Sequence, residues 1–361
     1  MLISSFQQDP TARFEGYCFV GPDYVAGADG ASVYEAAHGK ALKPGEDGCY
    51  TIATRTPAGW EFGTDSHGMA KLFIYQKADT WAVGSSLYTL ARHLRSHGVT
   101  LNPSIPNLHA LGIRNTLMHQ VNTRHTLIED ITLVPTYQGV RVTPSGPATF
   151  TLPKVPEVEY AAALSDYIST WRSRLMTILE DPDCTVAADL SGGMDSRVVF
   201  AFLVAAGAAE IGPERFRLVS NRSKMDDFRP ASAIAETYGI ALNGPDLERR
   251  TEINHRAALE SWKETCLGVY LPLYFVGYDL DPRAFQAHGA GGGNYRPVEL
   301  SGRRALDAAR FESSFPTVDF AAWQAQIEAD SLQFSQVAPD VPNDVMHYRQ
   351  FRGRMQGLPH R

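Results

Sequence analysis

The stretch VAADLSGGMDSRVVFAFLVAAG, residues 186–207, constrains the chain most. It runs from a short apolar segment, Val186 to Leu190, through Ser-Gly-Gly-Met-Asp-Ser into a helical run from Arg197 to Ala206 that Gly207 closes. A buried strand that turns straight into a helix belongs to a parallel sheet with crossover helices. The turn then lies at the carboxyl end of a strand, where open α/β sheets bind their ligands. Gly192 and Gly193 let the backbone turn tightly with its N–H groups exposed, and the positive end of the following helix attracts a phosphate. Ser191 and Ser196 add hydroxyl donors. Asp195 is the informative exception, because a carboxylate in a phosphate cradle repels its ligand unless a cation, here Mg²⁺, lies between them. The turn therefore predicts metal-bound polyphosphate. It is neither a GxxxxGK(S/T) loop nor a GxGxxG turn. The alternative is a serine and aspartate cap on a helix with no ligand at all.

The rest of the chain bounds that reading. At 361 residues, 44% hydrophobic and 20% charged, there is apolar material for two soluble domains. A net charge of −7 argues against nucleic acid and against an anionic membrane surface. No apolar run reaches a bilayer span, and MLISSFQQDP lacks a basic n-region and an h-region, so the expected location is cytoplasmic. Cys18, Cys49, Cys184 and Cys266 are far apart and read as buried reduced thiols.

Residues 1–152 carry short β-like runs (YCFVG, CYTIATR, KLFIYQ, WAVGSS, GVRVTPSG) broken by turn residues, which predicts a mostly antiparallel β domain. SLYTLARHLRSHG sets Leu87, Leu90, Ala91 and Leu94 on one helical face. Pro147, Pro153 and Pro156 place the boundary near 150–157, as a linker rather than a strand. A second domain, 158–361, opens with a long amphipathic helix whose stripe is Ala161, Leu164, Tyr167, Ile168, Trp171, Leu175 and Ile178. TVAADL, RFRLVS and AFQAHG then read as strands of a parallel sheet.

Ser191-Gly192-Gly193-Met194-Asp195-Ser196 after a strand resembles the SGGxDS loop of the ATP pyrophosphatases, whose loop holds pyrophosphate while an oxygen nucleophile attacks the α-phosphate of ATP and AMP is formed. Asp227, Ala231, Ala235 and Gly239 match the spacing of that family's next strand and helix, which puts Leu218, Val219 and Ser220 near adenine or ribose. Ala231 and Ala235 also suit an ordinary helix core. The N-terminal half resembles the glutaminase domain of asparagine synthetase at Gly48, Tyr50, Asp65, Gly68, Leu72, Tyr75 and Ser85, although the usual Pro-Gly of the closing segment is Pro135-Thr136. The resemblance covers roughly residues 45–300. It implies a β-rich, Ntn-hydrolase-like sandwich followed by a parallel-sheet, adenine-nucleotide α-hydrolase-like domain.

The resemblance also has gaps. The family's glutaminase needs a cysteine whose own α-amine is the base, and residue 2 is leucine, so glutaminase activity is expected to be absent, as in the β-lactam and carbapenam synthetases. The second acidic motif is met by HGAGGGNYRP, with no carboxylate inside. There Gly289 and Gly291 to Gly293, including Gly292, either bring N–H groups to a phosphate beside Arg296 or form a surface loop; Asp279, Asp281 and Glu299 are outside candidates for the missing carboxylate. No lysine follows Lys263 to match the family's late lysine. Arg349, Arg352 and Arg354 either replace its charge or form a solvated face. The chain's end at Arg361 falls short of the family's usual length, which leaves part of the site open.

The expectation is an ATP- and Mg²⁺-dependent, AMP-forming amide-bond synthetase acting on a small-molecule or peptide carboxylate and an amine. Asp195 would hold the metal. Ser191, Gly192, Gly193, Ser196, Leu218, Val219, Ser220, Asp227, Gly291 and Gly292 would bind the nucleotide, and Tyr295, His288, Arg296 and Tyr348 would serve proton transfer or charge stabilisation. The rivals are an incomplete subunit or pseudoenzyme that needs a partner chain, and a lasso-peptide cyclase-like isopeptide synthetase. Whether the chain forms a homo-oligomer or joins a partner subunit stays open.

Overall fold

The protein was analysed as a computed structural model, which describes residues 1–111, 120–153, 158–244, 254–270, 281–289 and 320–355. The fold is mixed α/β, with two antiparallel sheets in the first half and a three-stranded parallel sheet in the second.

The four-stranded sheet has the order β1 (Leu2–Ser4), β7 (Thr80–Gly84), β6 (Phe73–Lys77), β8 (Ile131–Leu133). The six-stranded sheet has the order β10 (Gly146–Thr151), β9 (Gln138–Thr143), β5 (Gly59–Thr64), β4 (Asp47–Thr56), β2 (Phe14–Val20), β3 (Asp23–Ala26). Period-2 alternation decides which residues fill the space between them. Trp60 and Phe62 of β5 pair with Val142 and Val140 of β9 and join one core with Trp81 and Val83 of β7, while Glu61 and Arg141, also paired, meet as an ion pair on the other face. The outer face of the six-stranded sheet is closed by α1 (Gly27–His38), and Phe14, Cys18, Tyr50 and Ile52 are buried there with Ala31.

The outer face of the four-stranded sheet carries Leu2, Phe73, Tyr75 and Ala82, and is closed first by Leu87, Leu90 and Leu94 of α2 (Leu87–Ser96). Residues from further along the chain complete that core: Trp262 of α7 (His255–Thr265), Phe334 of α8 (Phe320–Val337), Met346 of α9 (Asn343–Gln350), and Phe351. Arginines tie the two halves. Arg174 is buried, donates to the Gly21 carbonyl at 3.0 Å and to Asp47 at 2.8 Å, and lies over the Phe19 and Trp171 rings. Arg124 donates to Asp330 of α8 from its backbone N–H at 2.8 Å and from Nε at 2.7 Å. Arg354, fully enclosed, donates to the carbonyls of Gly68 at 2.9 Å and Val134 at 3.0 Å. Burial pushes the Arg354 guanidinium down to about 10, against the pull of Asp65. Arg352 and Arg354, read as charges for the site or as a solvated face, are here used in packing: Arg352 donates to Gln120 at 3.0 Å.

In the second half β11 (Thr185–Asp189) lies between β12 (Phe216–Val219) and β13 (Ala284–Ala287), and all three run parallel. Thr185 to Ala188 are buried, the unbroken burial that a central parallel strand requires. α4 (Tyr160–Glu180) leads into β11; α5 (Met194–Ala205) follows it, and α6 (Met225–Thr237) follows β12.

Two expectations need correction. The segment Thr149–Thr151, read as linker, is the end of β10, paired with Gln138 to Val140, because Pro147 sits near the strand start where a missing donor is tolerated. The stripe read as the apolar side of a long amphipathic helix is buried only at its C-terminal end: Ile178 and Leu179 join the core with Trp171 and Leu175 against it, while residues 160–169 are exposed. All four cysteines are buried, and burial pushes the Cys18 and Cys184 thiols up to about 12, which removes them as nucleophiles. No helix among the described residues is long and apolar enough to cross a membrane.

Candidate functional site: the loop after β11

The loop is held by its own serines. Leu190 donates to the Val219 carbonyl at 2.8 Å, the last backbone link between β11 and β12. Ser191 then turns the chain: its N–H donates to Ser196 Oγ at 3.0 Å, the two hydroxyls share a hydrogen bond of 2.9 Å, and Gly193 N–H donates to Ser191 Oγ at 3.1 Å. Ser196 is buried and bonds back to the Gly193 carbonyl at 3.3 Å. The serine hydroxyls thus brace the loop.

Gly193 is the residue at which α5 begins, with φ −72° and ψ 151° and no side-chain cap. No serine or aspartate side chain caps α5; the serines brace the serine-glycine turn instead. The first-turn N–H groups of α5 lack intrahelical acceptors by helix geometry, Gly193 and Met194 are exposed, and Asp195 stands in that first turn. Arg197 donates from Nε to the Gly193 carbonyl at 3.2 Å, which holds an exposed guanidinium beside the turn. Its role was not read from the sequence.

Two neighbours close on the loop and explain two glycines. A Cβ on Gly192 would lie 2.9 Å from the Asp226 carbonyl oxygen and 3.5 Å from Asp227 Oδ1, so the start of α6 abuts the turn and brings the Asp227 carboxylate to it. A Cβ on Gly289, just after β13, would lie 2.8 Å from Ser196 N and 3.0 Å from Asp195 Cβ. Gly289 is thus a packing glycine at the start of α5. The half-buried His288 is held next to it, with burial pushing its imidazole down, so the ring is neutral near pH 7. Gln286 Nε2 donates to Asp189 at 2.9 Å and ties the ends of β13 and β11 together.

The end of β12 is built by a residue the sequence reading missed. Asn243, at φ 55°, accepts from Ser220 N at 2.8 Å, donates from Nδ2 to the Ser220 carbonyl at 2.9 Å, and donates from its own N–H to Leu218 O at 2.8 Å. Its side-chain amide takes the place of a strand. The Asn243-Gly244 dipeptide was the available signal, since Asn-Gly marks turns with positive φ. Leu218 is fully buried in the core, Val219 is half-buried, and the Ser220 hydroxyl is buried with no hydrogen-bond partner among the described residues.

The structure thus brings together Ser191, Gly192, Gly193, Asp195, Ser196, Asp227, His288 and Gly289, with Val219 and Ser220 on the adjacent strand end. Tyr348 lies on α9, whose neighbours His347 and Gln350 bond to Asn122 and Thr136 of the first half. Gly291, Gly292, Gly293, Tyr295, Arg296, Asp279 and Glu299 lie outside the described residues. Among the described residues no group of three His, Cys, Asp or Glu side chains could hold a metal ion. One carboxylate fits Mg²⁺ bound mainly through phosphates and water, so Asp195 suits that ion and no all-protein site is needed. A cleft of about 320 Å³ opens elsewhere, at Lys77, Ser104, His125, Asp130 and Gln326, and shares no residue with the loop.

No protein-family model matches the chain, and no curated protein matches its sequence. Among solved structures, the glutamine-dependent NAD+ synthetase from Acinetobacter baumannii, in complex with ADP, is similar at 12% identity over 62% of this chain and 48% of that chain, with a TM-score of 0.21. The match spans about half of that protein's length, and at that score the likeness decides neither fold nor chemistry.

Proposed function

We propose that the chain is an ATP-dependent, AMP-forming amide-bond synthetase of asparagine synthetase type without glutaminase activity, taking a small-molecule or peptide carboxylate and an amine. The observation that carries the reading is the Ser191–Ser196 loop at the carboxyl end of the central parallel strand, with a bare glycine at the start of α5. N–H groups of the first turn of α5 would hold the pyrophosphate part of ATP, with Arg197 adding positive charge. Mg²⁺ on Asp195 would screen the carboxylate from the phosphates. The end of β12 would meet the nucleoside, where the buried Ser220 hydroxyl offers an unused hydrogen bond.

The carboxylate oxygen bonds to the α-phosphorus as the bond to pyrophosphate breaks. The amine nitrogen then bonds to the acyl carbon as the bond to AMP breaks, and the amine gives up a proton. His288, next to Gly289 beside the loop, would take it. By their own chemistry Tyr295 would serve proton transfer, Arg296 would stabilise charge, and Gly291 and Gly292 would bring N–H groups to a phosphate.

A second reading, an incomplete subunit that a partner chain completes, is favoured by the lack, among the described residues, of a group of three side chains able to hold a metal ion. One experiment separates the two. The purified chain is incubated with Mg²⁺-ATP, a panel of carboxylates and hydroxylamine as a general amine acceptor, and nucleotide products are resolved. The synthetase gives AMP, pyrophosphate and a hydroxamate with at least one carboxylate. ADP and phosphate contradict it, and no turnover with any carboxylate favours the incomplete subunit.

A further inference from the structure

α4 is two helices in one by environment. From Trp171 onward its apolar stripe packs on the core of the parallel sheet, but over the preceding three turns the same stripe continues largely exposed, with only Tyr167 leaning on the Phe202 and Trp171 rings. Tyr160 is 77% exposed, Leu164 43%, Tyr167 39% and Ile168 46%; Val158, just ahead of the helix, is 61% exposed, and Val198 of the neighbouring α5 is 48% exposed. The two helices are joined at this level by the Tyr167 and Phe202 rings, 5.8 Å apart and edge-on, so Val198, one turn before Phe202, extends the patch.

At about 100° per residue, Tyr160, Ala161, Leu164, Tyr167 and Ile168 fall within about 60° of one line, whereas Glu159 and Asp166 lie on the opposite side. The face is therefore apolar and uncharged. It carries no charge to select an oppositely charged partner, and its acidic flank disfavours an anionic membrane, where such helices are basic. What it does fit is itself. Two copies of the helix laid antiparallel about a two-fold axis at Leu164 set Tyr160 against Ile168 and the large Tyr167 against the small Ala161, the self-complementarity that an isologous contact requires. Taking about 200 Å² for a fully exposed large side chain, the exposed fractions amount to about 600 Å² per copy and about 1,200 Å² for a pair. That is the lower edge of the range for specific interfaces, which suits a dimer of micromolar affinity.

We propose that residues 158–168 of the α4 region are the contact face of a homodimer, each copy pairing antiparallel with the same face of a second copy about a two-fold axis near Leu164. The dimer sets the second copy beside Val198, one turn from Asp195.

The test is sedimentation velocity of the full chain from about 1 to 200 µM, a range centred on micromolar affinity, with two variants. The native chain shifts from monomer towards dimer across that range. The double variant Leu164→Glu, Ile168→Glu stays monomeric with an unchanged far-UV circular dichroism spectrum, since both side chains are exposed. Separately, Leu164→Cys forms a disulfide-linked dimer on mild oxidation, while the native chain, whose four cysteines are buried, does not. A native chain that stays monomeric throughout, a dimer that survives the double glutamate variant, or a dimer in which Leu164→Cys fails to cross-link overturns the proposal.

Discussion

With the loop acting as the proposed ATP site, replacing Gly192 by valine lowers ATP affinity and destabilises the second half of the chain. The new Cβ would approach the Asp226 carbonyl oxygen to 2.9 Å, a contact with backbone that no rotamer change relieves, so either the loop or the start of α6 shifts. Overpacking of this kind costs about 1–3 kcal/mol. A misplaced cradle also forfeits the phosphate hydrogen bonds, so ATP affinity falls at least about 100-fold, or about 2.7 kcal/mol. Gly193→Ala is the informative contrast. Its Cβ meets only Ser191 Oγ, at 3.2 Å, in an exposed turn, so thermal stability changes less than in Gly192→Val. Calorimetric titration and thermal melts on the two variants check both statements. Equal ATP affinity in the native chain and Gly192→Val contradicts them.

The largest stability loss is expected at Asp330. Its carboxylate is fully enclosed and accepts both the backbone N–H and Nε of Arg124, across the seam between α8 and residues 120–126. Asp330→Ala leaves a backbone donor without an acceptor and a guanidinium without its counter-charge. Breaking such a buried pair from one side costs about 3–5 kcal/mol, and the lower figure applies because the Arg124 side chain is 31% exposed to water. Asp330→Asn keeps an acceptor for the N–H and loses about half as much, since one neutral hydrogen bond is worth about 1 kcal/mol. Urea unfolding of the three proteins measures this. An alanine variant within about 0.5 kcal/mol of the native chain, the usual range of a neutral surface change, contradicts the account.

The parts of the fold legible in the sequence were those in which one local signal agreed with its surroundings. β11, the loop and α5 could be read because an unbroken apolar run meets paired glycines and then a second apolar run. α2 could be read because Leu87, Leu90 and Leu94 keep helical spacing before Gly98. The elements that escaped had weak or borrowed signals. α1, GADGASVYEAAH, holds two glycines and buries only Ala31, so it has no apolar stripe to find. β1 and β8 are three residues each, too short for a period, and are fixed by pairing with β7 and β6. In the site, the glycine at 289 was visible and its task was not: what it packs against, the start of α5, is nearly a hundred residues earlier in the chain. Arg354 shows the same limit. An arginine near the chain end reads as solvated, and only the fold shows it enclosed against Gly68 and Val134.

The most direct measurement on the central claim is calorimetric titration of ATP in the presence of Mg²⁺, comparing the native chain with Asp195→Asn, because it needs no knowledge of the carboxylate or the amine. Binding that requires Mg²⁺ and weakens at least about tenfold, or about 1.4 kcal/mol, in the variant is the predicted result. ATP binding that is indifferent to both Mg²⁺ and Asp195, or no ATP binding by the native chain at all, contradicts the assignment of this loop to a metal-bound nucleotide.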